Sequence, residues 1–292
     1  MELFDLTFGR TRIPAFDEAP ASARRKLFGV DYVFVKGRQG GEFYITRPGW
    51  KVAGSILPEN WFAGQQFSKK GRALAGATGA VYRVPVPHRV RSAYSIIVKF
   101  SRVGQDVGIT VQDDQLTRDT ELGKRIDFAE FLPPFEEFGN IMKLRADKRR
   151  LFATNAPLAI YSPPTRYQEW ELGRKSHLQS RHDSNLAQDQ ERSGVANKVV
   201  YNWDKLYILL YQWLDGVDAE QAFQNDMISN DTMVYLSRTM RQHARDLGWV
   251  VLDHKPRHVI VRPVRNGNGL RFYKGHPVMG MIDYELLVPA EE

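Results

Sequence analysis

The chain has 292 residues, enough for one large two-lobed domain or two small ones, and its 42% hydrophobic and 12% aromatic content excludes a disordered or fibrous chain. Zero cysteines exclude disulfides, thiolate zinc sites, iron–sulfur clusters and cysteine nucleophiles. Forty-one basic against 34 acidic residues give a net charge of +7, which suits anionic ligands and is too small to establish nucleic-acid binding. No stretch approaches the ~18 uninterrupted apolar residues of a membrane span, and the start, Met1 to Asp5, lacks a basic flank before an apolar run, so the expectation is a cytoplasmic protein with no membrane partner.

In chain order, two aromatic and β-branched runs between Asp31 and Thr46 flank Gly37 to Gly41, a hairpin with a turn longer than two residues. Trp50, Trp61 and Phe62 surround a Pro/Gly/Asn segment, which places a soft boundary near Pro58. Ala80 to Val86 and Ala93 to Phe100 read as consecutive strands, the second apolar at Ile96, Ile97 and Val98. The polar stretch from Phe100 to Ile126 reads as an insertion.

Pro134 then opens a helix: Phe135, Phe138, Ile141 and Met142 recur at helical spacing, and basic residues crowd the later turns. Ala156 to Tyr161 is a short strand, and the polar stretch Glu171 to Lys198 is expected to be a mobile insertion. Leu206 to Leu214 reads as a buried strand closed by Asp215-Gly216. Asp231 to Leu247 repeats apolar positions at Met233, Val234, Leu236, Met240 and Leu247, a helix ending at Gly248. There are no internal repeats.

Six motifs in this order carry chemistry. Gly71 to Tyr82 contains Gly76 and Gly79 between strands, where glycines let backbone N–H groups approach phosphates. It resembles the glycine-rich loop of protein kinases, with Leu74 where that pattern's first glycine belongs; the competing reading is a plain turn. Ile96-Ile97-Val98-Lys99 looks like the kinase strand whose lysine binds nucleotide phosphates and pairs with a helix glutamate. A site lysine of this kind is expected to be partly exposed, and the competing reading is an edge-strand lysine facing solvent. Glu137 lies nearer the apolar stripe of its helix than Glu136, which makes it the partner the resemblance implies; otherwise both are first-turn acids that favour a helix N-terminus.

Tyr211 to Gly216 is hinge-like, and the resemblance puts Trp213 and Leu214 at the nucleotide. Val250 to Val261 is similar to the kinase catalytic loop D-x-K-P-x-N followed by an apolar strand. Asp253 and Lys255 match, which implies that Asp253 orients or deprotonates an acceptor hydroxyl and Lys255 neutralises the transferring phosphoryl. Val251-Leu252 replaces the usual His-Arg pair, and His258 takes the place of the metal-binding asparagine. Met281 to Glu285 resembles the metal-binding D-F-G element in the I-D-[FY]-E form of aminoglycoside and choline kinases, with Asp283 as the implied magnesium ligand. Ordinary polar turns and a strand-end acid are the competing readings of these two motifs.

The resemblance covers about residues 65 to 287. It implies an α+β, two-lobed protein-kinase-like fold: an N-terminal extension with a hairpin over 1–60, a kinase-like N-lobe with insertions over 61–216, and a reduced C-lobe over 217–292. Nine residues follow Asp283, which leaves no room for an activation segment or peptide-binding helices and implies an apolar face covered either by the first sixty residues or by a protein partner. The implied function is an atypical ATP-dependent phosphotransferase using Mg²⁺ or Mn²⁺, with an unidentified acceptor for which the positive charge makes an anionic one a candidate. The alternatives are a kinase-like module without catalysis that binds nucleotide or a partner, and a nucleic-acid-binding protein, the latter prompted by Arg257, Arg262, Arg265, Arg271 and Lys274 in a stretch with no acidic residue. Nucleotide-independent metal chemistry is disfavoured, because Pro256 between His254 and His258 prevents the helix that would bring the two imidazoles together.

Overall fold

The computed structural model describes residues 15–37, 40–74, 80–88, 94–108, 120–149, 151–180, 183–184, 201–264 and 269–290. The chain divides into two units that are interleaved in sequence. One comprises Met1–Asp106, Pro133–Gly139 and Ala156–Trp213; the other comprises Val107–Leu132, Asn140–Asn155 and Leu214–Glu292. The architecture is mixed α+β, with a large antiparallel sheet and several helices.

The first unit is built on an eight-stranded sheet. Its strand order is Arg24–Leu27, Val30–Lys36, Glu42–Thr46, Pro157–Ser162, Ile208–Gln212, Tyr94–Phe100, Val81–Val86 and Arg72–Ala73, every neighbouring pair antiparallel. Strand alternation sorts its residues onto two faces. Val33, Ile45, Val84, Ile96, Val98, Leu158, Ile208 and Leu210 form one apolar layer, covered by Trp50, Ala53, Ile56 and Trp61. The Trp61 indole N–H donates to the carbonyl of Ile56 at 2.8 Å, so the ring is buried without an orphaned donor.

The hairpin of residues 30–46 is therefore two inner strands of this sheet, and the helix Pro58–Trp61 sits on the same core. No unit boundary falls near Pro58, because the two indoles that flank it are buried together. The turn after the hairpin is pinned by Thr46, whose Oγ1 accepts from the N–H of Gly49 at 3.2 Å and donates to the carbonyls of Pro157 and Leu158 at 2.7 and 2.9 Å. Gly49 approaches so closely that a Cβ there would lie 1.9 Å from the Leu158 oxygen.

The opposite face carries Tyr32, Tyr44, Ile97, Lys99, Leu209 and Tyr211, as the register of the strands requires. The first turns of the helix Pro134–Ala146 pack there, with the Phe135 ring 4.9 Å from Tyr44 and the Phe138 ring 5.2 Å from Tyr211. Part of the stretch read as a mobile insertion also belongs to this unit: Arg174 is buried and donates its Nε to the carbonyl of Val103 at 3.1 Å and its Nη1 to that of Trp203. Residues 181–182 and 185–198 of that stretch lie outside the described residues.

The second unit holds a four-stranded sheet in the order Val217–Asp218, Val259–Val261, Met279–Met281, Ala153–Thr154, the last pair parallel and the others antiparallel. The helix Asn230–Asp246 starts at Ser229, whose Oγ accepts from the N–H of Thr232 at 3.2 Å, and buries Leu236, Met240 and Ala244. It stops at Gly248, whose φ of +81° is the left-handed conformation that glycine adopts without strain. Trp249–Val251 follows and pairs with Leu287–Pro289. A helix over Thr120–Asp127 overlaps the end of the 100–126 stretch read as an insertion, and residues 109–119 lie outside the described residues. Among the described residues no helix is long and apolar enough to cross a membrane.

Candidate functional site

Two constellations stand out, one in each unit. In the first, Lys99 occupies an inner strand, paired through Val81 on one side and Leu209 on the other, so it is not an edge residue. Alternation from Ile97 turns its side chain toward the helix, where Nζ lies 3.1 Å from Oε1 of Glu137. The Tyr211 hydroxyl donates to the same oxygen at 2.5 Å. The Lys99 residue is 7% exposed and Glu137 2%, against the expectation of a partly exposed lysine.

Helical spacing explains the choice of glutamate: Glu137 lies between Phe135 and Phe138 on the buried side, whereas Glu136 stays half-buried. A buried ion pair is a poor way to stabilise a sheet, since desolvating each ion costs several kcal/mol and well-packed apolar residues do as well or better. Lys99, Glu137 and Tyr211 interrupt an otherwise apolar layer, a pattern typical of sites that must place a charge.

In the second unit, the strand Trp249–Val251 leads into a loop bearing Asp253 and Lys255. Lys255 Nζ contacts both carboxylate oxygens of Asp253, at 2.8 and 2.9 Å, and both side chains retain solvent access. Pro256 then starts a single 3₁₀ turn, after which Val259–Val261 enters the sheet. His258 ends that turn, buried, its backbone N–H donating to the carbonyl of Lys255 at 2.9 Å and its carbonyl accepting from the N–H of Ile282 at 3.0 Å. That last bond ties the 253–258 loop to the loop carrying Asp283, and His258 Nε2 lies 3.6 Å from Asp283 Oδ2.

Asp283 has φ of +64°, a conformation disfavoured for a residue with a side chain, and such strain concentrates at working sites. The loop is held by the Tyr284 hydroxyl, which donates to the carbonyl of Met281 and to Asn155 Oδ1 at 3.3 Å and accepts from the Asn155 N–H at 3.1 Å. Burial pushes the His258 imidazole below its ordinary pKa. The carboxylates of Asp283 and Asp253 oppose the shift, and the cations Lys255 and Arg257 add to it. Burial therefore favours the neutral imidazole at pH 7, and among the described residues its buried Nδ1 has no hydrogen-bond partner.

Among the described residues no group of three or more His, Asp or Glu side chains is placed to hold a metal ion. The His258–Asp283 pair fits a cation that takes its remaining ligands from phosphates and water. One imidazole nitrogen beside one carboxylate suits Mn²⁺ better than the harder Mg²⁺, which would rest on Asp283 alone. Gly76 and Gly79 lie outside the described residues. Trp213 stacks under the guanidinium of Arg83, 4.3 Å from the ring centre, and Leu214 packs against Gly280, where a Cβ would meet it at 2.4 Å.

Tyr211, Asn155 and Tyr284 were missed as site-supporting residues. Tyr211 was within reach, since it lies two residues from Leu209 on a strand whose alternation can be counted; Asn155 has no local signal, because its partner is 129 residues away. No protein-family model matches the chain, and no curated protein sequence matches it.

Proposed function

We propose that the chain is an atypical kinase-like protein that binds ATP with a divalent cation and transfers its terminal phosphoryl group to a hydroxyl acceptor. On this reading the eight-stranded unit is the counterpart of a kinase N-lobe and the second unit a reduced C-lobe, acting in the cytoplasm. The observation that carries the reading is the buried Lys99–Glu137 pair, formed by two residues 38 apart that the motif order singles out together. Lys99 would hold nucleotide phosphates, Asp253 would accept the acceptor's proton, and Lys255 would neutralise charge on the phosphoryl in flight. Asp283 would hold the cation.

The first test is a thermal-shift panel of nucleotides with and without Mg²⁺ and Mn²⁺. A ligand at 100 times its Kd stabilises the folded state by about 2.7 kcal/mol, so ATP with metal is expected to raise the melting temperature by several degrees, and Asp283→Asn to abolish the metal-dependent part. A flat panel would sink the reading.

A second reading, a kinase-like module that binds nucleotide without turning it over, is favoured by one observation: His258 stands neutral and buried where the family places an asparagine. Replacing it by Asn restores an oxygen ligand, so His258→Asn is expected to strengthen Mg²⁺-dependent nucleotide binding by roughly tenfold while leaving Mn²⁺-dependent binding nearly unchanged. Titrations with each metal at neutral pH check this. Identical magnesium dependence in both proteins would place His258 outside the metal shell.

A further inference from the structure

A second feature of the 217–292 segment is unrelated to the motifs above. Between Val259–Val261 and Met279–Met281 the chain makes a two-stranded ribbon, with Phe272–Tyr273 antiparallel to His276–Pro277. The turn is Lys274-Gly275, with φ values of +51° and +80°, the double left-handed geometry that matches the twist of a tight hairpin. The ribbon is tied at its base by the N–H of Arg271 donating to the Arg262 carbonyl at 2.7 Å and the N–H of Val278 donating to the Arg271 carbonyl at 2.8 Å.

Its tip does what a folded chain avoids. Phe272 is 64% exposed and Tyr273 70%, adjacent in sequence and therefore one on each side of the ribbon. Neither ring contributes to a core, and polar residues would serve the turn equally well. From Arg257 to Ile282 there is no Asp or Glu. Arg257 is engaged by Glu220 at 3.1 Å, whereas Arg262, Arg271 and Lys274 have no acidic partner among the described residues. The tip thus presents the Phe272 ring and a Tyr273 ring with the Lys274 ammonium over one face, 5.6 Å from its centre, amid positive charge.

We propose that the 271–276 hairpin is a docking finger for single-stranded nucleic acid. Cations fit a phosphate backbone, and each ring can stack on an unpaired base, which is sequence-tolerant because every base has a π-face. Duplex bases are already stacked and would leave the rings unused. A membrane surface is disfavoured, since two rings around a Lys-Gly tip bury little apolar area. An acidic peptide would use the charges and leave the rings idle. This inference does not rest on the kinase-like reading.

Fluorescence anisotropy with oligo-dT and oligo-rU of about twelve nucleotides tests it on the full chain, the two arms separating DNA from RNA. Phe272→Ala/Tyr273→Ala is expected to weaken binding at least roughly tenfold, and duplex of equal length to bind at least tenfold more weakly than the single strand. Three phosphate contacts predict a log–log salt slope of about −2, a loss of about tenfold to twentyfold between about 50 and about 200 mM salt. Because both rings are exposed, the melting temperature and the ATP-dependent thermal shift of the variant should match those of the wild type, which keeps this test apart from that of nucleotide binding. Absence of oligonucleotide binding, equal binding by wild type and variant, or equal binding of polyglutamate, duplex or anionic vesicles would overturn the proposal.

Discussion

Glu137→Ala is expected to destabilise the protein by about 3–5 kcal/mol, the cost of leaving one member of a buried pair without its partner. Two groups lose their acceptor at once: the ammonium of Lys99 and the hydroxyl of Tyr211, both held by Oε1 of Glu137 at 3.1 and 2.5 Å. Neither can turn to water, because Lys99 sits on an inner strand and Tyr211 on its neighbour, under the Phe138 ring. Removing the lysine strands the other member of the pair. A solvent-facing Lys99 would be replaced at little cost, whereas the buried one leaves a carboxylate stranded at 2% exposure, so Lys99→Ala should destabilise too. Replacing both charges, as in Lys99→Met/Glu137→Leu, is expected to recover most of the loss, since apolar packing competes well with a buried pair. Thermal and denaturant melts of the three variants check this. Losses under about 1 kcal/mol in both single variants would mean that the pair is hydrated and carries no special role. If the double variant is stable yet shows no ATP-dependent shift, the pair's part in nucleotide binding is separated from its part in folding.

How far the sequence alone reaches can be followed along one strand. Val81 to Val86 and Tyr94 to Phe100 are visible as strands because β-branched and aromatic residues cluster between turn residues, and the structure pairs them antiparallel. What no local pattern could reveal is that Pro157–Ser162 and Ile208–Gln212 stand between this pair and the hairpin of residues 30–46, making one sheet. Sheet order is fixed by long-range burial, here by Trp50 and Trp61 sharing a core with Val98 and Leu210, and adjacent apolar runs do not encode it. The soft boundary near Pro58 is not a division between units for that reason: a Pro/Gly/Asn segment marks a turn, and nothing in its composition says whether the residues beyond it return to the same core.

The candidate site divides the same way. Glu137 could be preferred over Glu136 from the helical stripe, because periodicity reports which side of a helix is buried. The burial of Lys99 could not be seen, since a lysine after three apolar residues reads equally as a strand end. Asp253 and Lys255 are two residues apart, so their contact is local and legible. The approach of His258 to Asp283 depends on the backbone bond from Ile282 to His258 across paired strands, a tertiary fact.

Asp253 then offers the sharpest separation between an enzyme and a binding module. Asp253→Asn keeps the size of the side chain and removes its capacity to take a proton, so ATP turnover by the purified protein is expected to fall by about 10²–10⁴, the usual contribution of a general base. Stability should hardly move: the Asp253–Lys255 contact is partly solvated, its side chains 18% and 31% exposed, and pairs of that kind contribute about 1 kcal/mol or less. Nucleotide affinity should also change little, because on this reading the carboxylate addresses the acceptor and leaves the phosphates to other groups. The three readouts together decide the matter. A fall in turnover with unchanged melting and unchanged ATP-dependent shift assigns Asp253 to chemistry. Turnover that survives in Asp253→Asn removes the residue from the reaction and, with it, the phosphotransferase reading of the loop. Nucleotide binding without turnover in the wild type, across several hydroxyl acceptors and both metals, would leave a kinase-like module in which the Asp253–Lys255 contact orders the loop and His258 marks where magnesium-dependent chemistry was given up.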